Sequence, residues 1–329
     1  MSEFSLIARL QDLLDQYQRS CRHPAVLGIG DDAAVLAVPE GRHLVVTTDT
    51  LVSGVHFFAN DAAADIAAKS LAVSLSDLAA MGAEPAWFFL AISLPQQDTD
   101  WWDDFCRGLG EVAMAAGIQL AGGDTTQGPL SVNITAMGLV DKGRALRRDG
   151  AKPDDLVVVS GHPGLAALAL QQKLAGQDPH PAALRALLRP VPRLALGQAL
   201  KGYASACIDV SDGLAADLGH ILKASTCGAE VLLDQLPRHV ALASLIPEQQ
   251  WQLQLAGGDD YELCFTVPPQ HGQAVLQLQQ QAGVSIQVIG RITATAGLKL
   301  IQPDGQEYQL ARAGYQHFAS QPGQGSDDA

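Results

Sequence analysis

Cysteine is scarce in this chain, with five residues in 329: Cys21, Cys106, Cys207, Cys227 and Cys264. They are odd in number, scattered and form no CxxC pair, which argues against a disulfide framework or a cysteine zinc site and fits a reducing cytoplasm. Basic residues are also few, 21 against 35 acids, giving a formal charge of −14. A surface of that sign repels phosphate backbones and speaks against nucleic acid as a partner. A small anionic ligand would need cations brought to it locally, either arginines or metal ions held on carboxylates. No apolar run approaches the ~20 residues that cross a bilayer. The longest, AWFFLAISL at 86–94, reads as a buried strand, so no membrane partner is expected. The opening MSEFSLIARLQDLLDQ places apolar residues at 4, 6, 7, 10, 13 and 14, the pattern of an amphipathic helix. Its early acids do not suit a signal peptide.

The familiar catalytic motifs are missing as well. There is no GxxxxGK[ST] loop, no HRD or DFG set and no GxSxG elbow, and GIGDDA lacks the third glycine and helical run of a dinucleotide fingerprint. No cysteine has a local partner that would make it a nucleophile.

What is present is enough for a sizeable core, with 47% hydrophobic and 17% charged residues, and the length favours two domains. Patterning predicts the N-terminal helix, a hairpin of strands at 35–38 and 44–51, a helix over 62–82, and a strand at 86–93. A helix at 100–116, a strand at 118–121, the loop GGDTTQGP and a strand at 131–140 follow. The second half predicts strand 156–160, helices 165–176 and 181–201, strand 206–210, helix 213–225 and strand 230–233. It closes with helix 239–255, strand 262–267, helix 271–282 and strands over 286–309. Both halves read as α+β. The polar, locally basic DKGRALRRDGAKPDD at 141–155 marks the boundary, giving domains of 1–145 and 146–318 and a polar, disordered tail at 319–329.

Acids beside glycine, serine or threonine recur through the chain as GIGDDAAV, VTTDTL, SLSDLAAMG, GGDTT, DVSDGL and GGDDYEL. Each alone has a bland reading as a turn or a helix cap. Together they place acids at the ends of apolar strands, where side chains converge on one sheet edge. Crowded carboxylates raise one another's pKa unless a hard divalent cation such as Mg²⁺, Mn²⁺ or Ca²⁺ neutralises them. In the helix over 62–82, Ser70, Ser74, Asp77 and Met81 share one stripe, so Asp77 stands as the one acid of a small, apolar face. In DVSDGL, Ser211 or Asp212 caps the next helix, and Asp209 beside that N-terminus makes a phosphate site. His56 in SGVHF, read by itself, is structural.

These islands, in this order, resemble the thiamine-monophosphate kinases of the aminoimidazole ribonucleotide synthetase-like superfamily, which also holds selenophosphate synthetases and a hydrogenase-maturation protein. The matching stretches are GIGDDAAV, TTDTLVSGVHF, KSLAVSLSDLAAMGAEPAW, GGDTTQGPLS, GRALRRDGAKPDD, DVSDGLAADLGHI, GGDDYELCFTVP and GYQHF. The resemblance implies an N-terminal mixed sheet with helices that dimerises, a C-terminal α/β sandwich, and ATP-dependent phosphorylation of thiamine monophosphate with several Mg²⁺ ions. It implies that Asp32, Thr47, Thr48, Asp49, Asp77, Asp124, Asp209 and Asp212 hold metal, that Gly123, Asp124, Arg148 and Ser211 meet ATP, and that His56, Asp259 and Tyr315 meet the substrate. The family carries Glu where this chain has Asp259, one methylene shorter. Arg148, in the densest basic stretch of an acidic chain, suits phosphate contact. A substrate phosphate is already ionised at neutral pH, so neither general base nor protein nucleophile is needed, which accords with their absence. The alternatives are an aminoimidazole ribonucleotide synthetase-like enzyme and a non-catalytic metal-binding module. Cys21 in SCRHP lacks the glycine-rich loop of a selenophosphate synthetase, and the ending GSDDA lacks a hydrogenase-maturation cysteine.

Overall fold

The computed structural model describes residues 3–18, 21–312 and 314–315, and the tail expected at 319–329 lies outside them. In the first half, α1 (Glu3–Gln18) precedes β1 (Arg42–Val52), α2 (Ala63–Ala80), β2 (Glu84–Leu94), α3 (Thr99–Ala116), β3 (Gln119–Gln127) and β4 (Ser131–Asp141). The strands form a mixed sheet in the order β1-β4-β2-β3, with β2 and β3 parallel and the other pairs antiparallel. Helices cover one face, and Leu14, Leu71, Leu75, Phe88, Trp102 and Phe105 fill the layer between.

α2 is the element on which the rest is arranged. Alanine and leucine favour the helix, and neither glycine nor proline interrupts it. It stops at Met81 and Gly82, whose φ of +64° suits glycine. Nearly all its side chains are buried, the mark of a helix packed on several sides at once. It lies against α3, β1, β2 and β4 in its own half and against two helices and two strands of the other.

The second half runs β5 (Leu156–Ser160), α4 (Leu165–Leu174), α5 (Pro181–Leu188), α6 (Leu194–Ala199), β6 (Ala206–Val210), α7 (Leu214–Ser225) and β7 (Gly228–Leu232). It continues with α8 (Pro247–Ala256), β8 (Glu262–Val267), α9 (Gly272–Ala282), β9 (Ile286–Thr293) and β10 (Gly297–Ile301). Its sheet has the order β10-β7-β9-β5-β8-β6, antiparallel except for β10 with β7. β6 and β8 are buried along their whole length because apolar layers lie on both faces. One of those layers includes Ala79 and Ala80, so α2 takes part in both cores. The segment between the sheets is tied to each: Leu146 N–H donates to the Met81 carbonyl and Cys207 N–H to the Arg147 carbonyl.

Several expectations are corrected. The hairpin at 35–38 and 44–51 does not form; Val35 instead bridges Leu27, and β1 pairs with β4. GGDTTQ is strand, not loop, because Gly123 lets β3 run hard against β2: a β-carbon there would sit 1.9 Å from the Leu90 carbonyl oxygen. The helix at 181–201 is two, broken where Pro190 and Pro192 fall. The helix at 239–255 begins only at Pro247, after a single 3₁₀ turn. Neither Ser211 nor Asp212 caps α7; the cap position is Gly213, at φ +125°, with no side-chain bond.

Candidate functional site

Alternation along β1 decides which side chains meet α2. Thr47 and Asp49 point at the helix: the Thr47 hydroxyl donates to Asp77, and Ser74 Oγ donates to Asp49 Oδ2 at 2.8 Å. Further round α2, Ser76 Oγ donates to Asp209 Oδ2 of β6 at 2.9 Å. Hydroxyl groups thus set three carboxylates, drawn from both halves, around the C-terminal part of one helix. Burial pushes the Asp49 carboxyl up to about 6, with nearby Asp77 adding to it and the Ser74 bond opposing it. Burial and Asp77 likewise push Asp209 up to about 7, against the Ser76 bond and Arg148.

The turn from β6 into α7 is organised by Asp217, a residue that sequence reasoning does not single out. Its Oδ2 accepts from the backbone N–H groups of Ser211, Asp212 and Gly213 at 2.9, 3.0 and 3.2 Å. Those three N–H groups, at and just before the cap of α7, are committed to Asp217, and Ser211 and Asp212 line the cleft. The carbonyls of the same turn hold two further segments: Val210 and Ser211 accept from Tyr261 and Asp259 N–H at 2.8 and 2.9 Å, and Asp212 accepts from Tyr315 N–H at 3.0 Å.

The loop before β8 is wound tightly, with Asp259 and Tyr261 at φ +66° and +50°. Asp259 accepts from Tyr261 Oη on one oxygen and from Lys69 Nζ on the other, each at 2.9 Å. Lys69 also escapes the sequence, since a lysine in an alanine-rich helix reads as a surface residue. His56 Nδ1 accepts from Val52 N–H at 3.0 Å, which fixes the ring beside the end of β1.

These elements enclose a cleft of about 690 Å³ between the two halves. Thr48, Asp49, Asp77, Asp209, Ser211 and Asp212 line it, and so do the expected substrate residues His56, Asp259 and Tyr315. Val55, Leu170 and Leu174 add an apolar wall. A second cavity of about 460 Å³ shares Asp77 and adds Thr47 and Arg148. Asp32, Gly123 and Asp124 line neither. Across the sheet, Asp124 aligns with Ala91, Asn133 and Thr50, while Asp49 aligns with Ile134, Leu90 and Gly123. Asp124 therefore points from the opposite face to Asp49, about 14 Å away at three strand spacings.

Among the described residues, no three His, Cys, Asp or Glu side chains stand close enough to hold a metal by themselves. The donor set still fits magnesium, which takes one or two carboxylates and fills its remaining positions with phosphate oxygens and water. Asp49 and Asp209, held in their hydroxyl bonds and strained by burial next to Asp77, are carboxylates of that kind. Among the described residues, no helix is long and apolar enough to cross a membrane.

Comparison with known proteins agrees with this arrangement. Residues 30–140 match the AIR synthase related protein N-terminal domain, and residues 152–302 match its C-terminal domain. The chain is 48% identical to the thiamine-monophosphate kinase of Escherichia coli K12 over 97% of its own length and 98% of the relative's. It is 41% identical to that of Haemophilus influenzae, again over 97% and 98%. The crystal structure of thiamine-monophosphate kinase from Stenotrophomonas maltophilia K279a superposes with a TM-score of 0.84 at 44% identity, covering 94% of this chain and 98% of that one. AaThiL complexed with AMPPCP and TMP superposes at 0.75 with 26% identity, covering 96% and 97%. With the two-sheet fold, the acid-lined cleft and relatives matching end to end, the chain belongs to the thiamine-monophosphate kinase family.

Proposed function

We propose that the chain transfers the γ-phosphoryl group of ATP to the phosphate of thiamine monophosphate, giving ADP and thiamine diphosphate and so closing thiamine diphosphate biosynthesis. The observation that carries this reading is one cleft with an acidic floor, Asp49, Asp77, Asp209 and Asp212, and an acceptor end of His56, Asp259 and Tyr315. It is supported by a relative bound to an ATP analogue and TMP together.

A phosphate oxygen of the acceptor attacks the γ-phosphorus in line. The bond from that phosphorus to the β–γ bridging oxygen breaks, and its electron pair leaves with ADP. The acceptor is ionised before it arrives, so positioning and charge neutralisation are the whole task. Asp32, Thr47, Thr48, Asp49, Asp77, Asp124, Asp209 and Asp212 would hold Mg²⁺, which neutralises the phosphates when bound. Arg148, Ser211 and Gly123 would meet the nucleotide, and the ring of Tyr315 would face the cationic thiazolium.

The reading includes a homodimer built through the first sheet. Leu44, Val46 and Val52 stand exposed on the uncovered face of β1, and Val26, Val35 and Val38 are exposed in the segment before it. Asp124 is exposed on the same face of the sheet, which the segment before β1 covers only in part, so a second copy laid against it would supply the Asp124 that one chain keeps away from Asp49.

The test is ADP formation from ATP and Mg²⁺ with and without thiamine monophosphate. Formation that depends on the acceptor is expected, with inversion at the transferred phosphorus. Turnover with formylglycinamidine ribonucleotide instead would transfer the chain to the synthetase class.

A further inference from the structure

Lys69 sits midway along α2 with 2% of its surface exposed. A buried ammonium is costly unless charge and hydrogen bonds compensate it, so its partners say why it is there. It donates to the His56 carbonyl oxygen at 3.0 Å and to Asp259 Oδ2 at 2.9 Å. The first partner lies in the loop after β1 and the second in the loop before β8, so one side chain joins the two walls of the cleft at its acceptor end. The second oxygen of Asp259 is occupied by Tyr261 Oη at 2.9 Å. Both residues of that pair are in the left-handed region, a conformation that side-chain-bearing residues keep only where surrounding bonds enforce it.

We propose that Lys69 is a positioning residue for the phosphoryl acceptor, which it serves by holding Asp259 and the His56 loop in place at the acceptor end of the cleft. The proposal deepens the kinase reading and rests on it. Lys69 and Tyr261 take two of the roughly four acceptor positions of the Asp259 carboxylate and act as a strut that fixes Asp259 where it lines the cleft. Its charge is met in part by the ammonium, and the Tyr315 ring adds attraction for a cationic acceptor. Lys69 is absent from the cavity wall around Arg148, so it should leave the nucleotide unaffected.

Steady-state kinetics of Lys69→Met, Asp259→Asn, their double variant and Tyr261→Phe test this. The wild type must first show acceptor-dependent ADP formation; its failure would end the kinase reading before this one is reached. Both single variants at the ion pair are expected to raise the KM for thiamine monophosphate by about tenfold, with kcat and the KM for ATP within about twofold. The double variant should be no worse than either single one, because one linkage is cut twice. An acceptor KM for Lys69→Met within about twofold of wild type, or losses that multiply in the double variant, would overturn the proposal. If Lys69→Met does not fold, Tyr261→Phe decides alone: an acceptor KM raised about threefold or more supports the strut, and an unchanged one refutes it.

Discussion

Asp49, a metal ligand in the proposed reaction, is a burden on the fold. Its carboxyl is raised by burial from 3.8 to about 6, so the folded state prefers it protonated. The stability it contributes is accordingly present below the unfolded value near 4 and is lost as pH rises through about 6. At pH 8, with chelator present, ionised Asp49 costs about 1–3 kcal/mol. Asp49→Asn is therefore expected to raise the melting temperature by about 2–6 °C at pH 8, an advantage that vanishes below pH ~4, while turnover falls by more than about a hundredfold. Calorimetry at the two pH values beside an ADP assay checks both halves of the statement. Asp77→Asn is expected to abolish turnover with the fold intact, and near-normal activity at ordinary Mg²⁺ would remove Asp77 from the metal set.

Asp77 was readable as the one acid of a small, apolar helical face, and the other acids of the cleft only as a series, since each alone reads as a turn or a helix cap. Lys69 and Asp217 were not. Lys69 is matched by a carboxylate 190 residues away, a pairing no local pattern encodes. Asp217 resembles any acid in the first turn of a helix, and only the folded turn shows that it gathers three N–H groups. The resemblance to a known family supplied the expectation that His56, Asp259 and Tyr315 meet the substrate, where composition and spacing alone left a lone histidine, a turn acid and a tyrosine near the end.

At the scale of elements, α2 was legible from composition and stop signals, and β3 was not. Two adjacent glycines in GGDTT signal a turn, yet here they permit close contact between parallel strands. The same kind of approach joins the halves: a β-carbon on Gly197 of α6 would lie 2.0 Å from the Ala79 carbonyl oxygen of α2. Gly197→Ala is expected to cost about 1–3 kcal/mol, read as a lowered midpoint in urea. Gly219 in α7 makes the opposite case, since a β-carbon there meets nothing within 4 Å. Gly219→Ala should stabilise by about 0.5–1 kcal/mol through helix propensity alone. If both substitutions shifted stability in the same direction, close approach would not be what distinguishes the two sites.

For the whole molecule, the placement of Asp124 leads to a complementation experiment. If a second copy supplies it, Asp49→Asn and Asp124→Asn are each inactive as homodimers, whereas a heterodimer of the two holds one intact site. Subunits mixed and exchanged should recover about a quarter of wild-type activity, since half the dimers are mixed and each has one working site of two. A mixture that stays inactive after exchange, confirmed by mass spectrometry, would place Asp124 in the same chain's site or outside it. The two-sheet plan was expected from the family resemblance, but the way the halves hold each other was not, because apolar periodicity names a buried face without naming its partner.

α2 belongs to two cores at once, with Leu71 and Leu75 packed under the first sheet and Ala79 and Ala80 in the layer beneath the second. The molecule accordingly has two architectural modules but one cooperative unit. Neither half can loosen without stripping cover from a helix that the other needs, so thermal unfolding should sweep through both sheets as a single event. A chain cut between them would yield two fragments that each miss part of their interior.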